Sequence, residues 1–430
     1  MALSSQFDNV VGLAEIFMVR TLGPSAISAV GISRQIVMVI GITMVAVTTG
    51  AMTMVAQAVG AKDVDEASAT AKQSITLVFA VSSLISGLGY LGSPFALQMM
   101  SLPPDVIVLG VPYLKWFFLS LPLMGVHFTI NTCFHASGDA KIPLYIALVS
   151  NVARLVLAYG LIYGEWDLPA MGVAGAAMGG LAGACVGVAI SMVALYSGRF
   201  GVTITKETSF WPDANRARRI LKIGIPSAVQ GLFRNGSNLI FVKFIALTAN
   251  STVALAGFSI GNQMERVLRR STLAFGTASS SLVGQSLGAG NADEAEQRGW
   301  TALLISLALM ITMGLPIAVF ATDIMSVFTS DAQVIAVGIV YLWAIAAAEP
   351  FMCASVTSGG SLSAAGDTMP ALYYTLIAQW VVRLPVAYVL AFPLGMDIDG
   401  IWAALVIFSA LQSVLTVRKF AQGKWKTRRI

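Results

Sequence analysis

The sequence predicts an all-α membrane protein with twelve transmembrane helices, arranged as two pseudo-symmetric six-helix bundles. Composition is the first reason, because the chain is 57% hydrophobic and only 11% charged, whereas soluble proteins have about 25% charged residues. Long apolar segments are the second reason, since a helix that crosses a bilayer needs roughly 20 apolar residues. The third reason is that the second half of the chain repeats the first at an offset of about 226–229 residues.

The repeat is carried by matched residues along both halves. Five of the matched pairs are Gln57 and Gln285, Gly60 and Gly288, Tyr113 and Tyr341, Pro122 and Pro350, and Arg154 and Arg383. A repeat this long is a whole bundle and exceeds the length of a solenoid unit. Because each half has an even number of predicted spans, the two bundles have the same orientation in the membrane. Such parallel repeats are a transporter architecture, with the substrate cavity expected between the bundles.

The predicted spans follow one another along the chain. In the first half they are expected near residues 2–21 and 25–57, and at 74–91, 106–134, 142–163 and 171–196. In the second half they are expected near 219–248 and 252–286, and at 301–321, 334–352, 371–392 and 401–417. The last four segments of each half are long apolar runs. Ten-residue strands of alternating polarity are missing, which argues against a barrel.

The domain boundary is predicted in a polar segment that contains Pro212 and Asn215. It is the only long interior break between apolar runs. The predicted divisions are an N-lobe at 1–198 with helices 1–6, a cytoplasmic linker at 199–219, a C-lobe at 220–417 with helices 7–12, and a basic cytoplasmic tail at 418–430.

Charge in the loops predicts the orientation of the chain. The linker and the tail are rich in Lys and Arg, whereas the loops on the opposite side contain acidic residues and no Lys or Arg. The positive-inside rule therefore places both termini in the cytoplasm of a multi-pass protein of the plasma (inner) membrane. The net charge of +5 reflects this topology. We expect no nucleic-acid partner, because the basic residues lie beside spans and form no separate folded patch.

Motifs for catalysis or metal binding are missing from the sequence. It contains no HExxH, no Walker glycine loop and no G-x-S-x-G motif. His127 and His135 have no metal partner at ligand spacing. The three cysteines lie in or beside apolar runs and predict no disulfide framework. We therefore expect neither enzyme activity nor a cofactor, and no metal site apart from a coupling ion.

Paired segments of the repeat resemble the motifs of a known family. MVAQAVGAKDVDEA (54–67) and LVGQSLGAGNADEA (282–295) are similar to the motif after the second and eighth helices of multidrug and toxic compound extrusion (MATE) transporters. HASGDAKIP (135–143) and LSAAGDTMP (362–370) resemble the loops after the fourth and tenth helices of that family. The resemblance covers essentially the whole chain in order. It implies a two-lobe helical transporter.

These motifs also have a structural interpretation. Glycine ends a helix at Gly60 and Gly288, and the acidic residues that follow lie in the first turn of the next helix, where the helix dipole favours them. In the Gly-Asp motifs, glycine breaks one helix and aspartate caps the next. The alternative is a role at a cytoplasmic gate. The acidic residues concerned are Asp65, Glu66, Asp139, Asp293, Glu294 and Asp367.

Candidate coupling residues in the first half lie on the first and fifth helices. The resemblance places Glu15 at the family's first-helix carboxylate, which would exchange a proton or help to bind Na⁺. Asp8 lies two turns earlier on nearly the same helix face, so it is a second candidate for coupling. The alternative interpretation of Asp8 is a hydrated residue at the helix end. Asn9 and Asn151 are candidates for supplying further oxygen ligands.

In the second half, candidates lie on the seventh, eighth and tenth helices. Glu265 is interpreted either as a coupling or substrate-binding acid or as the ion-pair partner of Arg269, which lies four residues later. Glu349 precedes Pro350, so it is either an acid of the cavity or a residue beside a helix bend. Asn235 is a further candidate for substrate binding.

Arg154 and Arg383 are repeat mates in the fifth and eleventh helices. A buried arginine is expected to pair with a carboxylate, and both residues are also candidates for coupling or substrate binding. Arg154 and Ala158 occupy the positions at which the family resemblance leads us to expect an asparagine and an aspartate. The fifth-helix carboxylate of many relatives is therefore absent.

The sequence predicts a secondary active antiporter that works by alternating access between its two lobes. It is expected to export amphipathic, cationic organic compounds or drugs in exchange for H⁺ or Na⁺. The alternative is a flippase for a lipid-linked precursor or polysaccharide in the same superfamily, which the arginines within the spans keep open. The expected partners are small organic molecules and membrane lipid, and the expected oligomeric state is a monomer.

Overall fold

The computed structural model describes residues 11–12, 14–100, 102–198, 200–205 and 210–427, without the side chains of residues 38–40 and 42. Regular secondary structure in this part of the chain is helical throughout. The predicted all-α class is therefore confirmed. The chain divides into two compact units, residues 1–224 and 225–430.

The first unit is built from long helices. Residues 14–19 are helical, and a short 3₁₀ turn follows at Arg20–Leu22. The helices that follow are α1 (Pro24–Gly60), α2 (Val64–Gln98), α3 (Pro104–Ala136), α4 (Lys141–Tyr163) and α5 (Val173–Tyr196).

The second unit begins within a long helix and continues to the tail. Its helices are α6 (Ala214–Ala246), α7 (Ser251–Gly288), α8 (Ala292–Val319), α9 (Ala321–Phe328), α10 (Ala332–Ala364), α11 (Met369–Leu376), α12 (Leu384–Ala391) and α13 (Asp397–Ala421). A π-helix, Ile377–Arg383, joins α11 to α12. A 3₁₀ turn at Lys424–Thr427 ends the described tail.

Nine helical segments of the described residues are long and apolar enough to cross a membrane, whereas the sequence predicts twelve spans. Helices α6 and α7 are not among the nine, although they contain 33 and 38 residues. Their arginines explain why these two are missing, because Arg234 in α6 and Arg266, Arg269 and Arg270 in α7 lower the hydropathy of both helices. The third, predicted near residues 2–21, lies largely outside the described residues. Charged residues within a membrane span are energetically costly and are candidates for functional positions. Helices α6 and α7 therefore contain such candidates.

The paired glycine motifs end helices as predicted. Helix α1 ends at Gly60 and helix α7 ends at Gly288. The acids Asp65 and Glu66 lie in the first turn of α2, and Asp293 and Glu294 lie in the first turn of α8. Asp63 also caps α2 by accepting a hydrogen bond from the Glu66 amide at 2.9 Å. The predicted positions of these acids are therefore confirmed, and their role at a gate stays a prediction.

The Gly-Asp motifs form the predicted helix breaks. Gly138 and Gly366 have φ values of 86° and 72°, which a residue with a side chain rarely adopts. Asp139 then accepts hydrogen bonds from the amides of Lys141 and Ile142 at the start of α4. Asp367 is 2% exposed and lies 4.0 Å from the Lys419 ammonium group.

Described residues of the linker are attached to the first unit. The Lys72 ammonium group donates to the Thr205 carbonyl at 2.6 Å, and Arg216 pairs with Glu66 at 2.7 Å. The division between the units falls after Gly224, inside α6. The start of α6 therefore belongs with the first unit.

The π-helix at Ile377–Arg383 interrupts the span predicted at 371–392. Pro385 lies at the start of α12 and has no amide hydrogen to donate to the preceding turn. π-Helical turns are rare and are frequently found at functional sites. This turn ends at Arg383, one of the candidate residues.

Candidate functional site

Glu15 is buried in the first unit and forms ion pairs with two arginines. Its side chain is 2% exposed, against 30% for Arg34 and 28% for Arg154. Arg154 donates from Nε to Oε1 at 2.5 Å and from Nη2 to Oε2 at 2.7 Å. Arg34 donates from Nη2 to the same Oε2 at 2.6 Å. Both carboxylate oxygens therefore accept charge-assisted hydrogen bonds, which are stronger than hydrogen bonds between neutral groups.

Three helices bring this first cluster together. Glu15 lies in the helical segment 14–19, Arg34 in α1 and Arg154 in the middle of α4. Arg34 also donates to the Gly12 carbonyl at 3.1 Å, which ties the first segment to α1. On the other side, a side chain at Gly183 of α5 would collide with Arg154. Close helix packing thus holds the guanidinium group of Arg154 against the carboxylate.

The expected pairing of Arg154 with an intramembrane acid is present in the structure. The neighbours of Glu15 are cations, so a Na⁺ ion that bound its carboxylate would have to displace an arginine. Asn151 is 8% exposed and lies one turn before Arg154 on α4. Asp8 and Asn9 lie outside the described residues.

Glu265 lies in the second unit and is also neutralised by close partners. It forms an ion pair with Arg269, one turn later on α7, which is one of the two interpretations that the sequence leaves open. Its other oxygen, Oε2, accepts a hydrogen bond from the Tyr341 hydroxyl of α10 at 2.5 Å. The Glu265 side chain is 12% exposed and that of Arg269 is 43% exposed. Arg269 therefore keeps part of its guanidinium group accessible while it compensates the glutamate.

Glu349 differs from the other two glutamates because it has no ion pair among the described residues. It is 5% exposed and lies inside α10, next to Pro350. Its Oε2 accepts a hydrogen bond of 3.3 Å from the Thr272 hydroxyl of α7. A buried carboxylate that is stabilised by one neutral donor is costly when it is charged. Of the three glutamates, Glu349 is therefore the one whose negative charge a bound cation would stabilise most.

Arg383 is buried between aromatic rings. It is 5% exposed, and its guanidinium carbon lies 3.8 Å from the ring centroid of Phe241 and 4.7 Å from that of Phe408. Its Nη1 donates to Oδ1 of Asn238 at 2.7 Å. The expected carboxylate partner is not found within the described residues. Two π-electron faces and one amide oxygen take its place, because aromatic faces attract cations.

An aromatic cluster packs beside Glu265. Tyr341 is fully buried, and its ring centroid lies 4.4 Å from that of Trp402 and 5.2 Å from that of Phe258. Tyr341 is the repeat mate of Tyr113, which is buried beside the first cluster and close to Arg34. The sequence analysis did not assign a role to either tyrosine. Their matched positions in the repeat were the signal that could have identified them.

Two other sequence candidates are not joined to these clusters. Asn235 is half-buried on α6 and makes no hydrogen bond with its side chain among the described residues. His127 contacts the Ser191 hydroxyl at 3.2 Å and the Asn131 amide at 3.0 Å. In the described part of the chain, no group of three or more His, Cys, Asp or Glu side chains is placed to hold a metal ion.

The tail forms a separate contact at the end of the second unit. Trp425 is fully buried, and its ring stacks on Phe420 at 5.1 Å between centroids. Lys426 pairs with Glu296 at 2.5 Å and with Asp293 at 3.0 Å. Hydrogen bonds to these carboxylates raise the pKa of Lys426 above its ordinary value. The tail therefore holds the acidic first turn of α8, a contact that the sequence analysis missed.

Comparison with known proteins identifies similar chains of nearly the same length. A family model described as MatE matches residues 1–160 and 226–389. The chain is 25% identical to a protein named probable multidrug resistance protein NorM from Thermotoga maritima, over 100% of this chain and 93% of the relative. It is 24% identical to a protein named FAD transporter from Shewanella oneidensis, over 92% of this chain and 85% of the relative.

A solved structure is similar over almost the whole chain. It is described as the outward-facing conformation of a multidrug resistance MATE family transporter of the MOP superfamily. It has a TM-score of 0.85 and 20% sequence identity, and the match covers 99% of this chain and 94% of that one. This likeness concerns the fold, and it confirms the predicted helical membrane architecture.

Proposed function

Because the chain belongs to the MATE family, we propose that it is a secondary active antiporter in the plasma membrane. It exports amphipathic organic compounds in exchange for H⁺ or Na⁺, by alternating access between its two lobes. Relatives named as multidrug resistance proteins and as an FAD transporter support organic substrates as a class. The cationic substrate expected from the sequence stays a prediction.

The observation that carries this proposal is the environment of Glu349. Glu15 is held by two arginines, and Glu265 by Arg269 and Tyr341. Glu349 is equally buried, but its described hydrogen-bond partner is the neutral hydroxyl of Thr272. Ionisable groups inside a membrane protein are functional candidates by default. Glu349 is therefore our choice for the carboxylate that binds the coupling ion.

Ion binding at Glu349 would act through charge. A proton removes the negative charge of the buried carboxylate, and Na⁺ compensates it, so either ion changes the free energy of the state in which α7 and α10 enclose this residue. The ion and the substrate must favour different conformations of the lobes for exchange to occur. The ratio of the ion's affinities for the two conformations sets the upper limit of the coupling.

The first cluster has a supporting role in this proposal. Its carboxylate is occupied by Arg34 and Arg154, which link the first helical segment, α1 and α4. In this proposal Glu15 fixes the position of the two arginines. The alternative is that the coupling ion binds at Glu15 and not at Glu349. Both assignments can be tested with the same assay.

A second candidate function is favoured by the balance of charge in the second unit. Within residues 225–430, the predicted spans contain six basic residues and two glutamates, namely Arg234, Lys243, Arg266, Arg269, Arg270, Arg383, Glu265 and Glu349. An excess of positive charge suits a substrate with a phosphate or carboxylate group. A flippase for a lipid-linked precursor or polysaccharide is the corresponding alternative.

Transport by purified protein in liposomes tests these assignments. We expect an imposed pH or Na⁺ gradient to drive ethidium transport by the wild-type chain. Glu349→Gln should reduce this gradient-driven transport by about tenfold or more, because it removes the titratable charge at a similar shape. Ethidium affinity, measured by fluorescence anisotropy, should change much less than the transport rate. Glu165→Gln, in an exposed loop, is the matched control.

Three results would redirect the proposal. If Glu349→Gln transports at the wild-type rate under both gradients, Glu349 does not carry the coupling. If Glu15→Gln fails instead, coupling runs through the first cluster. If neither gradient drives ethidium transport but a fluorescent lipid pyrophosphate is moved across the bilayer, the flippase is the correct function.

A further inference from the structure

A groove on the second unit contains none of the candidate coupling residues. Its volume is about 430 Å³, and it is formed by α8, α10 and α13. Helices α8 and α13 each pack against α10. Its apolar lining consists of Leu303, Leu307, Phe351, Ala354, Val414 and Val417. The groove is therefore apolar along most of its length.

Aromatic residues pack together one turn beyond the groove-lining residues Leu303 and Val417. Trp300 of α8 and Phe420 of α13 are in ring contact, with centroids 5.3 Å apart. A side chain at Gly299 would collide with Phe420, so the two helices approach closely at this point. Further along, Phe351 is 40% exposed and Val414 is 60% exposed. All three helices are candidate membrane spans, so these exposed apolar residues belong to segments that cross the bilayer.

Arg418 lines the groove and lies in the last turn of α13, close in sequence to Phe420. It is exposed and forms no ion pair among the described residues. Neighbouring lysines are engaged within the protein, since Lys419 lies 4.0 Å from Asp367 and Lys426 pairs with Asp293. Arg418 thus offers an unengaged positive charge where an apolar groove reaches the end of a span.

We propose that this groove binds an anionic membrane phospholipid, with an acyl chain along the apolar lining and the headgroup phosphate at Arg418. Basic residues at the ends of spans lie at headgroup level and attract anionic lipids. Arginine also matches the geometry of phosphate oxygens, because its fork of N–H donors can bind two of them. The site is independent of the transport assignment, since neither Glu349 nor the first cluster takes part in it.

Lipid binding to the purified full-length chain tests this proposal. Phosphatidylglycerol and phosphatidylcholine with identical acyl chains are titrated separately, and bound lipid is counted by native mass spectrometry. We expect phosphatidylglycerol to bind about fivefold more tightly than phosphatidylcholine. One basic residue near the membrane surface contributes roughly 1 kcal/mol to the binding of anionic lipid, which corresponds to this factor. Arg418→Gln should abolish this preference, and Arg418→Lys should retain most of it. Lys141→Gln, an exposed basic residue of the first unit, should leave the preference unchanged.

A second variant tests the apolar part of the groove. Ala354→Phe fills the groove between its helices and should weaken binding of both lipids, and size-exclusion chromatography checks that the variant is folded. Equal affinity of the wild-type chain for the two lipids would overturn the proposal. So would an unchanged preference in Arg418→Gln. Competition by millimolar inorganic phosphate would show a free-anion site in place of a lipid site.

Discussion

Glu265 and Glu349 lie on the adjoining helices α7 and α10, yet their side chains have different partners. Glu265 has an arginine and a tyrosine hydroxyl as partners, so its charge is compensated in place. Glu349 has the hydroxyl of Thr272. The two carboxylates of this helix pair thus differ in environment: Glu265 links α7 to α10, whereas Glu349 is the residue that we propose to bind the coupling ion.

The bond between Tyr341 and Glu265 can be tested by Tyr341→Phe. The substitution keeps the ring packed on Trp402 and removes the hydroxyl that donates to Glu265 at 2.5 Å. Hydrogen bonds to charged groups contribute about 1.5–3 kcal/mol, so we expect the free energy of unfolding to fall by about that amount. Thermal unfolding in detergent, followed by intrinsic fluorescence, measures the loss. Tyr388→Phe, at a ring that is 52% exposed, is the control and should have little effect.

The sequence identified part of these contacts. The Glu265–Arg269 pair could be anticipated because its members are four residues apart on one helix. The partners of the other charged groups lie far away in the chain. Tyr341 is 76 residues from Glu265, and Asn238 is 145 residues from Arg383. Spacing carries no information on such contacts, because they depend on how the helices pack.

Among the structural elements, helix ends were more predictable than helix interiors. Glycine followed by acidic residues marks the ends of α1 and α7, because the local backbone alone determines such breaks. The π-helix was not predicted, since an apolar segment of the same composition forms an ordinary α-helix. The packing of the tail against the second unit was also not predicted. The charge of residues 418–430 indicated only a basic tail and gave no sign that Trp425 is buried.

The tail contact predicts a measurable effect of Trp425→Ala. Trp425 is fully buried against Phe420, and truncating a buried tryptophan costs about 3–5 kcal/mol. We expect the tail to detach, so that trypsin cleaves after Lys424 and Lys426 at much lower concentration than in the wild-type chain. Trp211→Ala provides the control, because Trp211 is 84% exposed. Equal protection in the two variants would show that Trp425 does not hold the tail.

At the scale of the whole molecule, each unit has its own charged residues among its helices and its own ion-pair contact at a repeated acidic motif. In the first unit Arg216 binds Glu66, and in the second Lys426 binds Asp293 and Glu296. In both cases the basic residue comes from the segment that follows the bundle. This recurrence agrees with the internal repeat, which was visible in the sequence because enough residues were retained in register.

The parallel repeat predicts which loops share one side of the membrane. Ala61 and Ala289 are exposed and equivalent in the repeat, whereas Glu165 and Ser330 lie in loops predicted on the opposite side. In a background with Cys185→Ser, single variants Ala61→Cys and Ala289→Cys should react with an impermeant maleimide only after the cells are permeabilised. Glu165→Cys and Ser330→Cys should react in intact cells. Opposite behaviour of Ala61→Cys and Ala289→Cys would indicate inverted repeats.

The π-helix lies in an interval where the two copies of the repeat differ in length. Gly138 and Gly366 are 228 positions apart, but Arg154 and Arg383 are 229 apart, so the second copy has one additional residue in this interval. In an α-helix, one inserted residue rotates every later side chain by about 100°. The wider turn at Ile377–Arg383 accommodates the extra residue. The two copies therefore differ in length by one residue within this interval, and the π-helix lets the second copy take up that residue while the helix continues on either side of it.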